Sequence, residues 1–249
     1  MRAILTYHSI DCSGSPISLD EATFRRHVAW LASGAVRVVP LADISNTQTD
    51  DNAVAITFDD GVRNIADVAL PLLRDHGLAA TVFVVSDAVG GTNAWGGAAD
   101  RRVPVLPLLD WDTLARLSKA GAAIGSHTRS HAHLSRLSVA RIEDEVFGSL
   151  ERIEAELGVR PATFSYPYGD APERAVSIAA RHFQLACTTE LRPLAVTDDP
   201  HRLPRLDAHY LRAPGRIEAW GSTRLRLFLD VRGRARRMRQ QLIAGAPHD

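Results

Sequence analysis

Lysine is nearly missing from this chain. Lys119 is the single one, and the other basic residues are all arginine. We read that bias as genomic base composition first and function second. Net charge is missing as well: 29 basic residues meet 29 acidic ones, so no global pull toward nucleic acid or acidic surfaces is expected. Cysteine is scarce. Cys12 and Cys187 allow at most one bridge, which excludes a disulfide-stapled miniprotein and suits two reduced thiols in a cytoplasmic protein. No run approaches the ~20 apolar residues of a membrane span, and the stretch from Met1 to His8 turns polar too early for a signal-peptide core. What the chain does have is apolar content, 45% of 249 residues, which excludes disorder and suits one large α/β domain or two small ones.

Short β-rich runs alternate with amphipathic helical patterns. The spacing predicts strands at Ala3–His8, Val36–Val39, Ala53–Phe58, Ala79–Val85, Ala122–Ser126, Ala162–Ser165, Gln184–Cys187 and Leu203–Leu206. Helices are expected at Asp20–Ala32, Asn64–His76, Asp112–Ala120, Ser138–Leu157 and Pro172–His182. Gly77, Gly121 and Gly158 follow three of these as C-terminal stops. Repeated β-then-α order implies a mostly parallel sheet with helices outside it, and seven or eight such strands can close into a barrel. In that architecture chemistry gathers at the carboxyl ends of the strands. Two segments break the pattern: Ser86–Pro107, rich in glycine with Trp95, reads as a long loop, and residues 211–249 carry nine Arg against three acids in a helical-looking tail.

Three motifs sit at strand ends. The run Ala53–Gly61 closes on adjacent carboxylates, Asp59 and Asp60, whose repulsion needs a cation or a shared proton to offset it. Ala122–His131 closes on His127 and His131, an i, i+4 pair that one helical turn would bring to the same side of an ion. An Asp with two His leaves coordination positions open, and the residue after His127 is Thr, so the zinc-protease helix motif is excluded. Ala162–Asp170 adds Tyr166 and Tyr168, which read either as packing or as a wall of the same pocket with a backbone N–H for an oxyanion.

Thr57–Gly61, Ser126–His131 and Tyr166–Gly169, in this order, resemble the polysaccharide deacetylase family, also called the NodB-homology or carbohydrate esterase 4 family. The likeness covers about residues 1–210 and implies a distorted (β/α) barrel of about seven parallel strands. It implies a hydrolase that takes N-acetyl groups from amino sugars with a divalent metal, usually Zn2+. By that resemblance Asp60, His127 and His131 would hold the metal, Asp59 would be the general base, and the Tyr168 N–H would help hold the oxyanion. Two departures stand out. Ser165 takes the place where most members carry an Arg, and Arg205 could reach the same carboxylate from the last strand. The usual Leu-x-His is missing, and His209 is the nearest candidate for the general acid.

Trp95 is a candidate sugar platform, Tyr7–His8 faces either the pocket mouth or the core, and His133 is expected beside the metal histidines or in solvent. The expected organisation is a catalytic domain at 1–210 and an Arg-rich extension at 211–249. The expected partner is an N-acetylated glycan or sugar conjugate, with no nucleic acid and at most weak peripheral membrane contact through the tail. A non-carbohydrate amide or cyclic-imide hydrolase on the same fold, and a catalytically silent sugar-binding protein, stay open as alternatives.

Overall fold

The computed structural model describes residues 1–48, 52–95 and 102–244, with side chains as far as 238 in the last helix. Gly96 and Gly97 of the long loop, the Arg239 side chain and residues 245–249 of the tail lie outside the described residues.

Strands β1 (Arg2–Tyr7), β2 (Ser9–Ile10) and β3 (Ser18–Leu19) lead to helix α1 (Glu21–Ala32). Then come β4 (Arg37–Val38), β5 (Ala53–Phe58), α2 (Leu70–Asp75), β6 (Thr81–Val84), α3 (Trp111–Lys119), β7 (Ala123–Ser126) and α4 (Val139–Leu157). The chain continues through β8 (Thr163–Ser165), α5 (Glu173–His182), β9 (Leu185–Cys187), β10 (Leu206–Asp207) and α6 (Thr223–Ala244). Seven parallel strands in the order β10-β1-β5-β6-β7-β8-β9 form one curled, barrel-like sheet, with β4 also paired to β5. Leu203 bridges Cys187 of β9 while Leu206 pairs with Leu5 of β1, so the segment before and within β10 touches both ends of the curl.

Local chemistry accounts for the elements. Asp20, Asp110 and Ser138 cap α1, α3 and α4 by accepting from the N–H three residues on. Gly77, Gly121 and Gly158 all take the left-handed conformation expected of a helix stop. The helix expected over 64–76 is instead a wide π turn, Ile65–Ala69, feeding α2. Pro71 explains the break, because it has no N–H to donate back along the helix. The last strand also differs: Leu203 makes a single bridge and the ladder proper is Leu206–Asp207.

The main core joins sheet residues such as Leu5, Ile56 and Val82 to helix residues Phe24, Leu73, Leu114 and Ile153. Ile217, Leu225 and Leu229 from beyond residue 210 are buried in the same cluster, so α6 is docked on the barrel. Both cysteines are free; Cys12 is exposed and Cys187 buried, with burial pushing its thiol up to about 12. No helix among the described residues is long and apolar enough to cross a membrane.

Candidate metal centre and catalytic cleft

Parallel register brings the motif residues to one rim. Tyr7 pairs with Phe58 and Thr6 with Asp207, so His8, Asp59 and the residues after β10 emerge side by side. Val84 pairs with Ser126 and Ser165 with Cys187, adding His127 and the Tyr166–Gly169 turn. The result is a cavity of about 780 Å3 lined by Asp59, Asp60, His127, His131, Tyr168, Arg205 and His209, the seven residues singled out from sequence. That volume falls in the usual range for a ligand site, roughly 300–1,000 Å3.

Asp60, His127 and His131 form the buried cluster at its floor, with one ligand atom of each within 4.8 Å of the others. Asp60 Oδ1 lies 3.6 Å from His127 Nε2 and 3.4 Å from His131 Nε2, too far for strong hydrogen bonds. Tetrahedral arms of about 2.0–2.1 Å would place ligand atoms roughly 3.3–3.4 Å apart, close to what is seen. Asp60 Oδ1 is buried with no hydrogen-bond partner among the described residues, an orphan that a cation would satisfy. His127 Nδ1 donates to the Ser165 carbonyl at 2.7 Å, which leaves the Nε2 lone pair aimed at Asp60. Burial pushes both imidazoles below their ordinary value and so favours the neutral, ligating form. Burial likewise raises the Asp60 carboxyl, a cost a cation would remove. The residues present therefore fit a divalent ion.

The two histidines do not reach this geometry on a helical turn, as their spacing suggested. Residues 127–131 are a loop in which Thr128 (φ 65°) and His131 (φ 60°) are left-handed. The loop is tied down by Glu145 of α4, whose buried carboxylate accepts from the Arg129 N–H (3.0 Å), the Ser130 N–H (2.9 Å) and the Ser130 hydroxyl (2.6 Å). Thr128 Oγ1 accepts from the His131 N–H. Asp60 (φ 69°) and Tyr168 (φ 60°) complete the set of left-handed non-glycine residues among those described; Asp60, His131 and Tyr168 line the cleft and Thr128 is buried in the loop that carries the histidines. Such conformations cost about 1–3 kcal/mol each and persist where the surroundings hold them for function.

Asp59 is gripped by Arg205. The guanidinium donates to both carboxylate oxygens at 2.7 Å, to Ser165 Oγ at 2.8 Å and to the Thr188 carbonyl at 2.9 Å. Both groups are almost wholly buried. Burial alone would raise the Asp59 carboxyl, but Arg205, His127 and His8 outweigh it and hold the group well below the usual carboxylate range. Ser165 is thus small enough to admit from β10's side the guanidinium that its own position lacks.

The structure also brings in residues whose part was not clear from sequence. His8 Nε2 lies 3.9 Å from Asp59 Oδ2 and lines the cavity. The signal was its place at the end of a first strand, which becomes informative once β1 is paired to β5. His209 lines the cavity too, but Arg212 Nη1 faces its ring at 3.0 Å, and burial and that charge lower its pKa. Glu145 was detectable only as an acid on the apolar face of α4, beside Ile142 and Val146. Trp95 packs against His131 with ring centroids 4.4 Å apart, and His133 stacks on Tyr168 at 3.9 Å. Gly169 (φ 73°) could carry no side chain, since a Cβ there would stand 2.2 Å from Thr189 Oγ1.

Comparison with known proteins agrees with this arrangement. The family model for polysaccharide deacetylase matches residues 46–183. The protein YxkH of Bacillus subtilis (strain 168) is 26% identical over 193 residues, 75% of this chain and 64% of YxkH. A chitin deacetylase of Pestalotiopsis sp is 32% identical over 130 residues, 52% of this chain and 39% of that enzyme. The chain thus spans less than two thirds of either relative. Among solved structures, Streptococcus pyogenes deacetylase PplD in complex with acetate superposes with TM-score 0.71 at 20% identity, covering 83% of this chain and 91% of that one. IcaB from Ammonifex degensii gives 0.71 at 20%, covering 87% and 93%. At that identity the two structures show a shared fold.

Proposed function

This chain belongs to the polysaccharide deacetylase family, and from that premise we propose that it is a metal-dependent hydrolase removing the N-acetyl group from an N-acetylated amino sugar. The observation that carries the reading is the buried Asp60–His127–His131 triangle beside an Asp59 carboxylate held ionised by Arg205. An Asp with two His and open positions suits Zn2+. Bound there, the ion supplies Lewis acidity, polarising a carbonyl and acidifying water.

The chain's own residues supply the remainder. Asp60, His127 and His131 hold the ion. Asp59, oriented by the two guanidinium bonds, accepts a proton from the attacking water. The Tyr168 N–H, presented by its left-handed turn, donates to the acetyl oxygen as charge builds on it. His8, reaching toward Asp59 from the neighbouring strand, gives a proton to the departing amine as the C–N bond breaks and acetate forms. His209 was the first candidate for that step. Burial and the Arg212 charge against its ring disfavour the imidazolium it would need, so we assign the step to His8. The cyclic-imide alternative rested on the missing Arg at Ser165, and Arg205 fills that role.

We assign these residues to a catalytic region of about 1–210 and treat 211–249 as an extension, whose α6 docks on the barrel through Leu225 and Leu229. Weak peripheral contact of α6 with anionic lipid also remains our proposal, with liposome cosedimentation that disappears in high salt as its test.

The test of function is acetate release from N-acetylglucosamine oligomers by protein loaded with zinc or cobalt. Chelation and Asp59→Asn should each abolish turnover, and His8→Gln should cost about 100-fold or more, while His209→Gln leaves most of it. Full activity after chelation or in Asp59→Asn would overturn the assignment.

A further inference from the structure

Helix α6 does more than cover the barrel. Leu225 and Leu229 are buried in the main core, and Gly233 packs so close that a Cβ there would stand 2.7 Å from the Leu191 carbonyl oxygen. This i, i+4 stripe fixes the helix against the rim after β9. Flanking it, Arg232 and Arg236 stand one turn apart on the same side and both line the cavity that holds the Asp60–His127–His131 triangle.

Neither guanidinium makes a hydrogen bond among the described residues. The cavity's third arginine, Arg205, is engaged with Asp59. Arg236 forms a loose ion pair with Asp207 at 3.9 Å, beyond hydrogen-bond reach. Arg232 makes no ion pair or hydrogen bond among the described residues; its guanidinium lies 5.5 Å from the Phe228 ring. Neighbouring arginines of the same region differ: Arg237 pairs with Glu190, Arg226 donates to the Gly221 carbonyl, and Arg216 stacks on Phe228 at 3.8 Å. Two guanidiniums that face the cleft and spend no N–H on a hydrogen bond among the described residues are suited to an oxyanion, which each can bind through paired donors.

We propose that Arg232 and Arg236 form an oxyanion subsite, so that the preferred substrate is an amino sugar carrying a phosphate or carboxylate group beside its N-acetylated residue. The inference rests on the deacetylase reading for the word substrate, and on geometry alone for the subsite.

The test is calorimetric binding of N-acetylglucosamine 1-phosphate, of a uronate-bearing N-acetylated disaccharide and of neutral N-acetylglucosamine. Each is titrated into wild-type protein, Arg232→Gln, Arg236→Gln and the double variant, with Arg224→Gln as a control outside the cavity. Gln keeps helix propensity close to that of Arg, so α6 should remain folded, and circular dichroism checks this. Wild type should bind at least one anionic sugar ten times or more tighter than the neutral one, with the advantage shrinking as salt rises. Each single variant should lose roughly tenfold for the anionic sugar and the double variant the whole preference. The better of the two anionic probes tells phosphate from carboxylate. An anion preference that survives in the double variant, or none in wild type, overturns the subsite. Acetate release is measured in parallel. Preference lost in the double variant without acetate release from any sugar would uphold the subsite and defeat the deacetylase reading instead.

Discussion

Arg205→Met is the sharpest perturbation of this site. The methionine keeps much of the volume but removes both 2.7 Å bonds to Asp59, along with those to Ser165 and the Thr188 carbonyl. Asp59, 3% exposed, is then a buried charge without its counterion. Removing one partner of such a pair costs about 3–5 kcal/mol. In a chain of this size each kcal/mol moves Tm by about 2–4 °C, so a drop of roughly 6–20 °C is expected. Asp59→Asn on the Arg205→Met background removes the stranded charge and should recover a large part, giving a coupling energy of at least about 2 kcal/mol in a double-mutant cycle. Urea unfolding of the four proteins in chelator measures it without ligation energy entering. The pH dependence has a definite sign. Arg205 lowers the Asp59 pKa in the folded state, so its contribution is present above the unfolded value near 4 and fades as pH falls below it. The wild type's advantage over Arg205→Met should therefore narrow in acid. Effects of the two substitutions that add within about 0.5 kcal/mol would refute the reasoning.

Other residues give independent checks. His27 is buried between the Tyr7 hydroxyl and the Leu211 carbonyl, and burial pushes it down to about 4. Between that value and 6.5 the unfolded chain binds a proton that the folded one refuses, so stability should fall on acidification, by up to about 3 kcal/mol; His27→Gln should flatten the urea midpoint over that range, and an unchanged slope counts against it. Glu145→Gln weakens the anchor of the 127–131 loop and should lower metal affinity about 10–100-fold, read by competition with a chelating dye, while an unaltered affinity would show that the loop holds itself. Gly169→Ala combines a left-handed φ with a Cβ 2.2 Å from Thr189 Oγ1; a loss of about 2–4 kcal/mol is expected in thermal unfolding, together with weaker acetate release.

Much of this protein was legible from its residues. The strand Ala53–Phe58 has the bounds its apolar run suggested, and Gly77, Gly121 and Gly158 end helices as their position implied. These signals are local, carried by caps, turns and contacts within a few residues, and so are written in the order of the chain. The same holds for the types of residue at the site, since the Asp59–Asp60 pair and the loop bearing His127 and His131 each come just after an apolar strand. Pro71 shows the limit of the local rules, for a periodic pattern absorbed it as a π turn instead of stopping.

Tertiary structure decided the remainder, and long-range register is the reason. Arg205 meets Asp59 across 146 residues because β10 and β5 both pair with β1, and the same pairing sets His8 beside Asp59. The histidine pair converges through a left-handed loop anchored by Glu145 on another element, not by its spacing. Arg232 and Arg236 look like any solvated charge run until Leu225, Leu229 and Gly233 dock α6 and turn that face to the cleft. Sequence names the groups able to do chemistry; which of them share one cavity depends on packing between segments far apart in the chain, and no local pattern encodes it.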